Sequence, residues 1–380
     1  MVRSICPATA SRLIVDLDAL SGNYASLSRK LAPAACGAVV KANAYGLGAV
    51  PVVEALQAAG CRLFFTAHLA EALDLMSVVD PTCEIVILNG LDPDCEPVCA
   101  EHGFVPALNS MAQIERWRAL AIAQGRRLPA ALQVDSGMSR LGLTLDDAQA
   151  LSATAIGDNI DLRLILTHLA CADDPCREEN RMQRARFEEI NRLFPGIPAS
   201  IANSGAAFLT PDFHLDIARC GIALYGVAPT LAQPGELRSV VRLDARVIQI
   251  RDIEVGTGIG YGFDHVARCP MRIATVGIGY ADGISRRFAQ SGAAWYQKHR
   301  LPLVGRISMD SLAIDISGLP DGLLREGGFV ELIGPNQPLE AMADAVGTIP
   351  YEILTGLGRR HERLYVQNHR SERQSAGAWS

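Results

Sequence analysis

The chain is 380 residues long, carries a formal charge of −6 and is 49% hydrophobic. That length suggests two domains, or one large barrel with an addition, and the apolar share is ample for a sizeable core. No apolar run reaches the length of a membrane span, nothing at the N-terminus has signal-peptide anatomy (Ile5 to Ala10 is short and mild), and no long basic block invites nucleic acid.

The ten cysteines are scattered rather than framed. Cys95 and Cys99 form a C-x3-C pair without a second Cys/His pair, so no metal site is expected. Reduced thiols point to a cytoplasmic protein.

Arg12 to Leu17 is a strand-like run, and Asp18 to Leu31 reads as a helix with Asp18 near its start. From Cys36 a rhythm sets in: β-branched apolar runs end in polar residues and give way to helical periodicity. Eight such runs are Gly37–Val40, Leu63–Ala67, Glu84–Leu88, Val105–Leu108, Ala130–Val134, Leu162–Thr167, Ala199–Ala202 and Leu215–Ala218. Helices are expected at Leu69–Val78, Met111–Ala123, Leu145–Ala155 and Glu178–Phe194, and the first helix of the series has Pro51 in its opening turn. Eight βα units fit a (β/α)8 barrel, an α/β fold, better than an open doubly wound sheet. No Gly-x-Gly-x-x-Gly with a distal acid supports the latter.

After Tyr225 the rhythm changes. Ala228–Glu236 reads as a linker. Beyond it Val240–Ile253, Met271–Ile278, Pro302–Ile316 and Phe329–Ile333 suggest an all-β domain; 338–358 looks helical and Arg363–Gln367 is a last strand. The expected division is a barrel over 1–232, a β domain over 233–367, and a polar tail over 368–380 read as disordered. The first strand is open to joining the second domain.

Lysine is scarce: Lys30, Lys41 and Lys298 stand against thirty-two arginines. Lys41 ends an apolar run, in Val39-Val-Lys-Ala-Asn-Ala-Tyr-Gly-Leu-Gly-Ala49. Only a lysine, when desolvated, can act as a base or form a Schiff base; an arginine can do neither. By itself Lys41 also fits a residue capping a buried strand. Its neighbours Asn43, Tyr45, Gly46 and Gly48 make a loop able to bring amides and a phenol to an anion. An amine beside a phosphate cradle is what pyridoxal 5'-phosphate requires.

This segment resembles the cofactor-attachment motif of alanine racemases, and further motifs of that family recur in order as far as Tyr351. Val134-Asp-Ser-Gly-Met-Ser-Arg-Leu-Gly142 is similar to the block whose arginine, here Arg140, reaches the substrate carboxylate. Where many members have a carbamylated lysine, this chain has Gln133. An anion such as chloride, or a nearby carboxylate, is expected to balance Arg140 instead.

Thr167-His168-Leu-Ala170 resembles the segment whose histidine packs by the pyridine ring, although a lone histidine there equally fits a core residue. Asn203-Ser204, which by itself reads as a helix cap, matches a cofactor-contacting pair whose serine touches phosphate. Arg219-Cys-Gly-Ile-Ala-Leu-Tyr-Gly226 resembles the motif that sets Arg219 against the pyridine nitrogen and the amides of Gly221 and Ile222 on the phosphate. Alone, Arg219 fits a structural ion pair. A permanent cation there disfavours a ring proton, weakens the electron sink and favours quick reprotonation of a carbanion.

Inversion at Cα requires two bases on opposite faces. Gly258-Ile-Gly-Tyr-Gly262 resembles the stretch holding the catalytic tyrosine, so Tyr261 is the candidate beside Lys41; without the resemblance it is a turn residue. A free phenol is a poor base at neutral pH, and the His168–Arg219 pair is the expected source of a cation beside it. The resemblance also implies a homodimer in which Tyr261 comes from the second copy.

Gly277-Ile-Gly-Tyr-Ala-Asp-Gly283 resembles the family's Gly-Tyr-x-Asp-Gly loop, which implies Tyr280 at the site entrance with Arg286 nearby. Val304-Gly-Arg-Ile-Ser-Met-Asp310 resembles the family's Gly-Arg-x-Cys/Ser-Met-Asp string, which implies that the Met309 amide binds the substrate carboxylate and Asp310 holds the loop. Pro350-Tyr351-Glu352 resembles the late Tyr-Glu pair of the family, which implies that Tyr351 brings its phenol to the phosphate. The resemblance implies PLP-dependent racemisation of L- and D-alanine. A racemase of other or broad specificity, a decarboxylase of the same fold type and a non-catalytic PLP-binding protein are the alternatives.

Overall fold

The computed structural model describes residues 10–154, 156–229 and 237–367. The N-terminal stretch 1–9, most of the expected linker and the tail 368–380 lie outside the described residues. The chain divides into two compact units. One covers Ala19–Ala44 and Gly48–Arg238; the other takes the chain up to Asp18, the three residues Tyr45–Leu47, and everything from Ser239 onward.

The first strand, β1 (Ser11–Asp16), belongs to the second unit. The first unit holds β2 (Ala35–Val39), β3 (Leu63–Thr66), β4 (Glu84–Ile87), β5 (Val105–Leu108), β6 (Leu128–Gln133), β7 (Ile160–Leu166), β8 (Ala199–Ser200) and β9 (Ile217–Cys220). They are parallel, in the order β8-β7-β6-β5-β4-β3-β2-β9. β9 returns to the β8 segment through the Asp216 N–H to the Ala199 carbonyl (3.1 Å) and the Arg219 N–H to the Ala202 carbonyl (2.9 Å). The result is a (β/α)8 barrel.

The runs are apolar along their length because parallel strands are covered on both faces; β5 is buried at every residue. Helix limits follow local chemistry. Ser110 caps Met111–Gln124 by accepting from the Gln113 N–H, and Gly125 ends it at φ 61. Inside the barrel Gly37 stands opposite Arg219 in the β2–β9 register. A Cβ on Gly37 would meet the Phe65 ring at 2.5 Å, so the strand there has no room for a side chain.

The second unit contains β10 (Val241–Ile253), the short pair β11 (Gly258–Ile259) and β12 (His265–Val266), β13 (Met271–Val276), β14 (Ala293–Tyr296), β15 (His299–Val304), β16 (Leu312–Asp315), β17 (Phe329–Ile333) and β18 (Glu362–Val366). Six strands close a ring, β13-β16-β15-β14-β17-β10, because the long β10 pairs with β17 at one end and with β13 at the other. A register shift between Val247 and Gln249 bends it between the two. β1 adds antiparallel to β10, and β18 adds parallel to β1.

The expected single run Pro302–Ile316 is two strands, and β14 falls outside the expected runs. Gly305, at φ 73, turns the chain out of β15 into a loop that returns only at Leu312. The helical region 338–358 is likewise two helices, Leu339–Val346 and Pro350–Gly356, separated at Gly347, which sits at φ 71. Both breaks come from residues at positive φ, a backbone state that hydrophobic pattern does not report.

A Cβ on Gly305 would lie 2.7 Å from the Ile259 carbonyl oxygen. Gly305→Ala therefore combines backbone strain with overlap. It is expected to destabilise the protein by about 1–3 kcal/mol in denaturant unfolding; parental stability would show that the loop has slack.

Candidate active site

Lys41 follows β2 directly at the C-terminal mouth of the barrel. The loop after it is a left-handed turn: Ala42, Asn43, Ala44 and Tyr45 have φ of 52, 55, 52 and 57. Non-glycine residues in that region cost roughly 1–2 kcal/mol each, so other bonds must hold the turn in place. The Ala44 N–H donates to the Val40 carbonyl at 2.8 Å and the Gly48 N–H to the Asn43 carbonyl at 3.0 Å. The Ala49 N–H donates to Asn43 Oδ1 at 2.8 Å, and the Ala42 N–H to Glu71 Oε1 at 2.7 Å. The half-buried Lys41 amine has its pKa lowered, by burial first, then by the Arg140 and Arg219 charges, with Glu71 acting in the opposite sense.

Arg219, on β9, is buried, and no carboxylate pairs with it among the described residues. Its Nη1 donates to the Ser200 carbonyl at 3.0 Å and to Ser200 Oγ at 2.5 Å, and its Nη2 donates to the Thr167 carbonyl. Burial lowers its pKa to about 10, which leaves it a cation at neutral pH. His168 Nδ1 lies 3.4 Å from Arg219 Nη2. Burial, then Arg219, Arg140 and Lys41, push the His168 pKa down to about 3. His168 is therefore neutral; its Nδ1 faces Arg219 and its Nε2 lies 3.5 Å from the Asn203 amide nitrogen. The cation expected of the His168–Arg219 pair resides on Arg219 alone.

Beside them, Ser204 Oγ accepts from the Gly221 N–H at 2.8 Å and the Ala223 N–H at 3.3 Å. The Ser204 and Ile222 N–H groups carry no hydrogen bond among the described residues. Asn203 Oδ1 accepts from the Ala206 N–H at 3.0 Å, and its amide donates to the Leu169 carbonyl at 3.3 Å. A hydroxyl with free amides and no carboxylate next to it is a donor set suited to a phosphate.

The loop after β6 is shaped by Asp135, whose Oδ1 accepts from Gly137, Met138 and Ser139 N–H groups at 2.8, 3.0 and 3.1 Å. Arg140 leaves that loop exposed, and no carboxylate forms an ion pair with it among the described residues. Gln133 is buried at the end of β6.

Behind the mouth, the buried Gln183 amide accepts from the Ala170 N–H at 2.9 Å. It donates to the His168 carbonyl at 2.9 Å and to Ser136 Oγ at 3.3 Å. One side chain thus ties the His168 strand end to the Arg140 loop.

The remaining candidates lie in the second unit. Tyr45 and Tyr351 stack at a tilt, with ring centroids 6.0 Å apart. The 279–283 and 305–311 loops interlock: the Tyr280 N–H donates to the Ser308 carbonyl at 3.1 Å and the Ala281 N–H to the Met309 carbonyl at 3.0 Å. Arg360 joins the same loops by pairing with Asp282 at 3.2 Å and Asp310 at 2.7 Å. The Met309 N–H carries no hydrogen bond among the described residues. Arg306, in the second loop, forms an ion pair with Asp264 beside the turn that presents Tyr261. Tyr261 is 71% exposed, Phe263 68% and Met309 52%.

Sequence reasoning missed Glu71, Gln183 and Arg360. Each reads as an ordinary helix-surface or loop residue, and only folding shows what it reaches. The one available signal was Glu71 three residues after His68, a capping-box spacing.

Residues 15–229 match the alanine racemase N-terminal domain, and residues 240–365 the alanine racemase C-terminal domain. The chain is 48% identical over 360 residues to a catabolic alanine racemase of Mesorhizobium japonicum, covering 94% of each. It is 45% identical over 373 residues to the alanine racemase of Brucella canis, again covering 94% of each. The crystal structure of the Bartonella henselae alanine racemase, with covalently bound pyridoxal phosphate, superimposes with a TM-score of 0.91 at 43% identity, over 95% of this chain and 100% of that one. The Streptomyces coelicolor alanine racemase gives 0.89 at 32% identity, over 94% and 98%.

The depressed His168 pKa has a consequence for stability. Above its ordinary value of 6.5 the ring is neutral in both folded and unfolded chains. As pH falls from there towards about 3, the unfolded chain takes up a proton that the folded one refuses. Stability should fall by up to about 1.4 kcal/mol per pH unit from this group. His214 and His361 are lowered by burial too and add in the same sense. Unfolding in denaturant at about pH 5 and about pH 7.5 should show a smaller acid loss for His168→Asn than for the parent.

Proposed function

We propose, for a chain that belongs to the alanine racemase family and interconverts L- and D-alanine with pyridoxal 5'-phosphate, that Lys41 and Tyr261 are the two bases on opposite faces of the substrate. The observation that carries this reading is the barrel mouth, where a half-buried amine with lowered pKa shares its surroundings with the fixed charge of Arg219.

The donor set fits the cofactor. Lys41 would hold it covalently; Tyr45, Ser204, Gly221, Ile222 and Tyr351 would take the phosphate, His168 and Asn203 would flank the ring, and Arg219 would face its nitrogen. When bound, pyridoxal phosphate delocalises the electron pair left on Cα.

Arg219 is a cation with no carboxylate paired to it among the described residues, and its charge would disfavour a proton on the ring nitrogen. That would favour quick reprotonation at Cα over other fates. Arg140 binds the substrate carboxylate with a forked guanidinium, aided by the free Met309 N–H, with Asp310 holding that loop and Tyr280 narrowing the entrance. Lys41, lowered by burial and by two guanidinium groups, is a neutral amine over more of the working range than an ordinary lysine and can take a proton at Cα.

Tyr261 is proposed to come from the second copy in a homodimer, which suits the exposure of Tyr261, Phe263 and Met309 on one unit. The cytoplasm is the proposed compartment, and D-alanine supply the proposed role. Enantiomers have equal free energy in water, so net direction depends on supply and demand rather than on the site.

In deuterated water the parent should exchange and invert the Cα hydrogen of either alanine enantiomer. Tyr261→Phe should lose racemisation in both directions by on the order of 10²–10⁴, yet keep exchange on one enantiomer through Lys41. Inversion at the parental rate in Tyr261→Phe rules out the two-base assignment. Sedimentation over a dilution series tests the dimer; a fully active monomer contradicts it.

A further inference from the structure

Resting on the reading of Lys41 as the cofactor-linked base, we propose that Glu71 is a positioning residue for racemisation. It clamps the left-handed turn that follows Lys41 and sets one negative charge in a cationic barrel mouth.

Glu71 stands in the first turn of the helix Leu69–Leu75. Its Oε2 accepts from the Ala67 N–H at 2.7 Å and the His68 N–H at 3.3 Å, which is ordinary capping of that helix. Capping does not account for the other oxygen. Oε1 reaches across to the neighbouring strand end and accepts from the Ala42 N–H at 2.7 Å.

That amide is the first after Lys41, and Ala42 opens the run of four non-glycine residues at positive φ. A residue placed there without restraint relaxes toward the right-handed or extended regions. Such a change one residue away swings the Lys41 side chain out of its line. The Ala44, Gly48 and Ala49 bonds fasten the middle and far end of the turn; Glu71 fastens its start. The carboxylate is anchored by a helix end on one side, so it is a fixed point rather than a mobile partner.

The charge matters as well. Arg140 and Arg219 face Lys41 with the same sign, and His168 is neutral. Glu71 supplies the opposing charge, with His68 as its own titratable neighbour. Clamp and charge have different signatures and can be separated.

The three lysines of the chain make the measurement clean. The full chain, stripped of cofactor, is acylated competitively with acetic anhydride across a pH series, and the Lys41, Lys30 and Lys298 peptides are quantified by mass spectrometry. In Glu71→Gln the Lys41 midpoint should fall by roughly half to one pH unit, with Lys30 and Lys298 unmoved as internal references. An unmoved Lys41 midpoint in that variant overturns the proposal whatever the activity does.

In the holoenzyme Glu71→Asp keeps the charge but draws the oxygen back from Ala42. It should lower kcat by on the order of tenfold with KM for alanine changed less than about threefold. Parental kcat in Glu71→Asp overturns the clamp, and it carries the test alone should Glu71→Gln not fold. Borohydride reduction of the parent holoenzyme followed by peptide mapping keeps the two readings apart. With cofactor fixed to Lys41 the Glu71 variants decide the role of the carboxylate, whereas cofactor fixed elsewhere removes the underlying reading itself.

Discussion

A buried guanidinium with no carboxylate partner among the described residues sits at the centre of this barrel mouth. Taking an ion out of water costs several kcal/mol unless hydrogen bonds replace its hydration. Arg219 obtains them from Ser200 and from the Thr167 carbonyl, groups at the ends of two neighbouring strands. Those bonds exist only if β7, β8 and β9 end at matching heights. Strand register, rather than any single contact, is therefore what lets the charge persist. Burial is the main reason that His168 stays neutral and that Lys41 loses part of its proton affinity, and the Arg219 charge adds to it in both. Burial and the same-sign charges of Arg140 and Arg219 thus act together on both groups.

A second constraint is the backbone after β2. Four L-residues in left-handed geometry are unfavourable in isolation, and their persistence means that the surroundings over-determine them. Strained segments of this kind gather where a side chain must be aimed rather than merely housed. The two sides of the barrel mouth use the same device: a single polar side chain on a helix, Glu71 on one side and Gln183 on the other, bonds to backbone at a strand end. Each fixes the backbone at a strand end, beside Lys41 on one side and beside His168 on the other.

The two units differ in the chemistry they carry. The barrel holds an amine, two guanidinium groups and an imidazole. The β unit holds phenols and a free amide on interlocked loops: Arg360 bridges Asp282 and Asp310, and Arg306 ties the Tyr261 turn to the Met309 loop. The unusual closure of six strands by one bent strand, β10, gives those loops a rigid base.

Much of this was legible in the letters. Eight apolar runs separated by helical periodicity determine a parallel barrel, since period and length alone report which faces are covered. The short strings around Lys41, Arg140, Arg219 and Met309 name the chemistry, because reactive groups are matters of residue identity. What the letters did not contain were the partners. Nothing local distinguishes Glu71 from a helix cap, Gln183 from a polar helix residue or Arg360 from a surface charge. Nor does hydrophobic pattern reveal that Gly305 splits a strand run, or that Ala42 to Tyr45 wind left-handed. Those depend on distances between segments far apart in the chain and on backbone dihedrals. Burial, field and hydrogen-bond geometry arise only after the strands have met, so the protonation states of His168 and Lys41 belong to the tertiary structure.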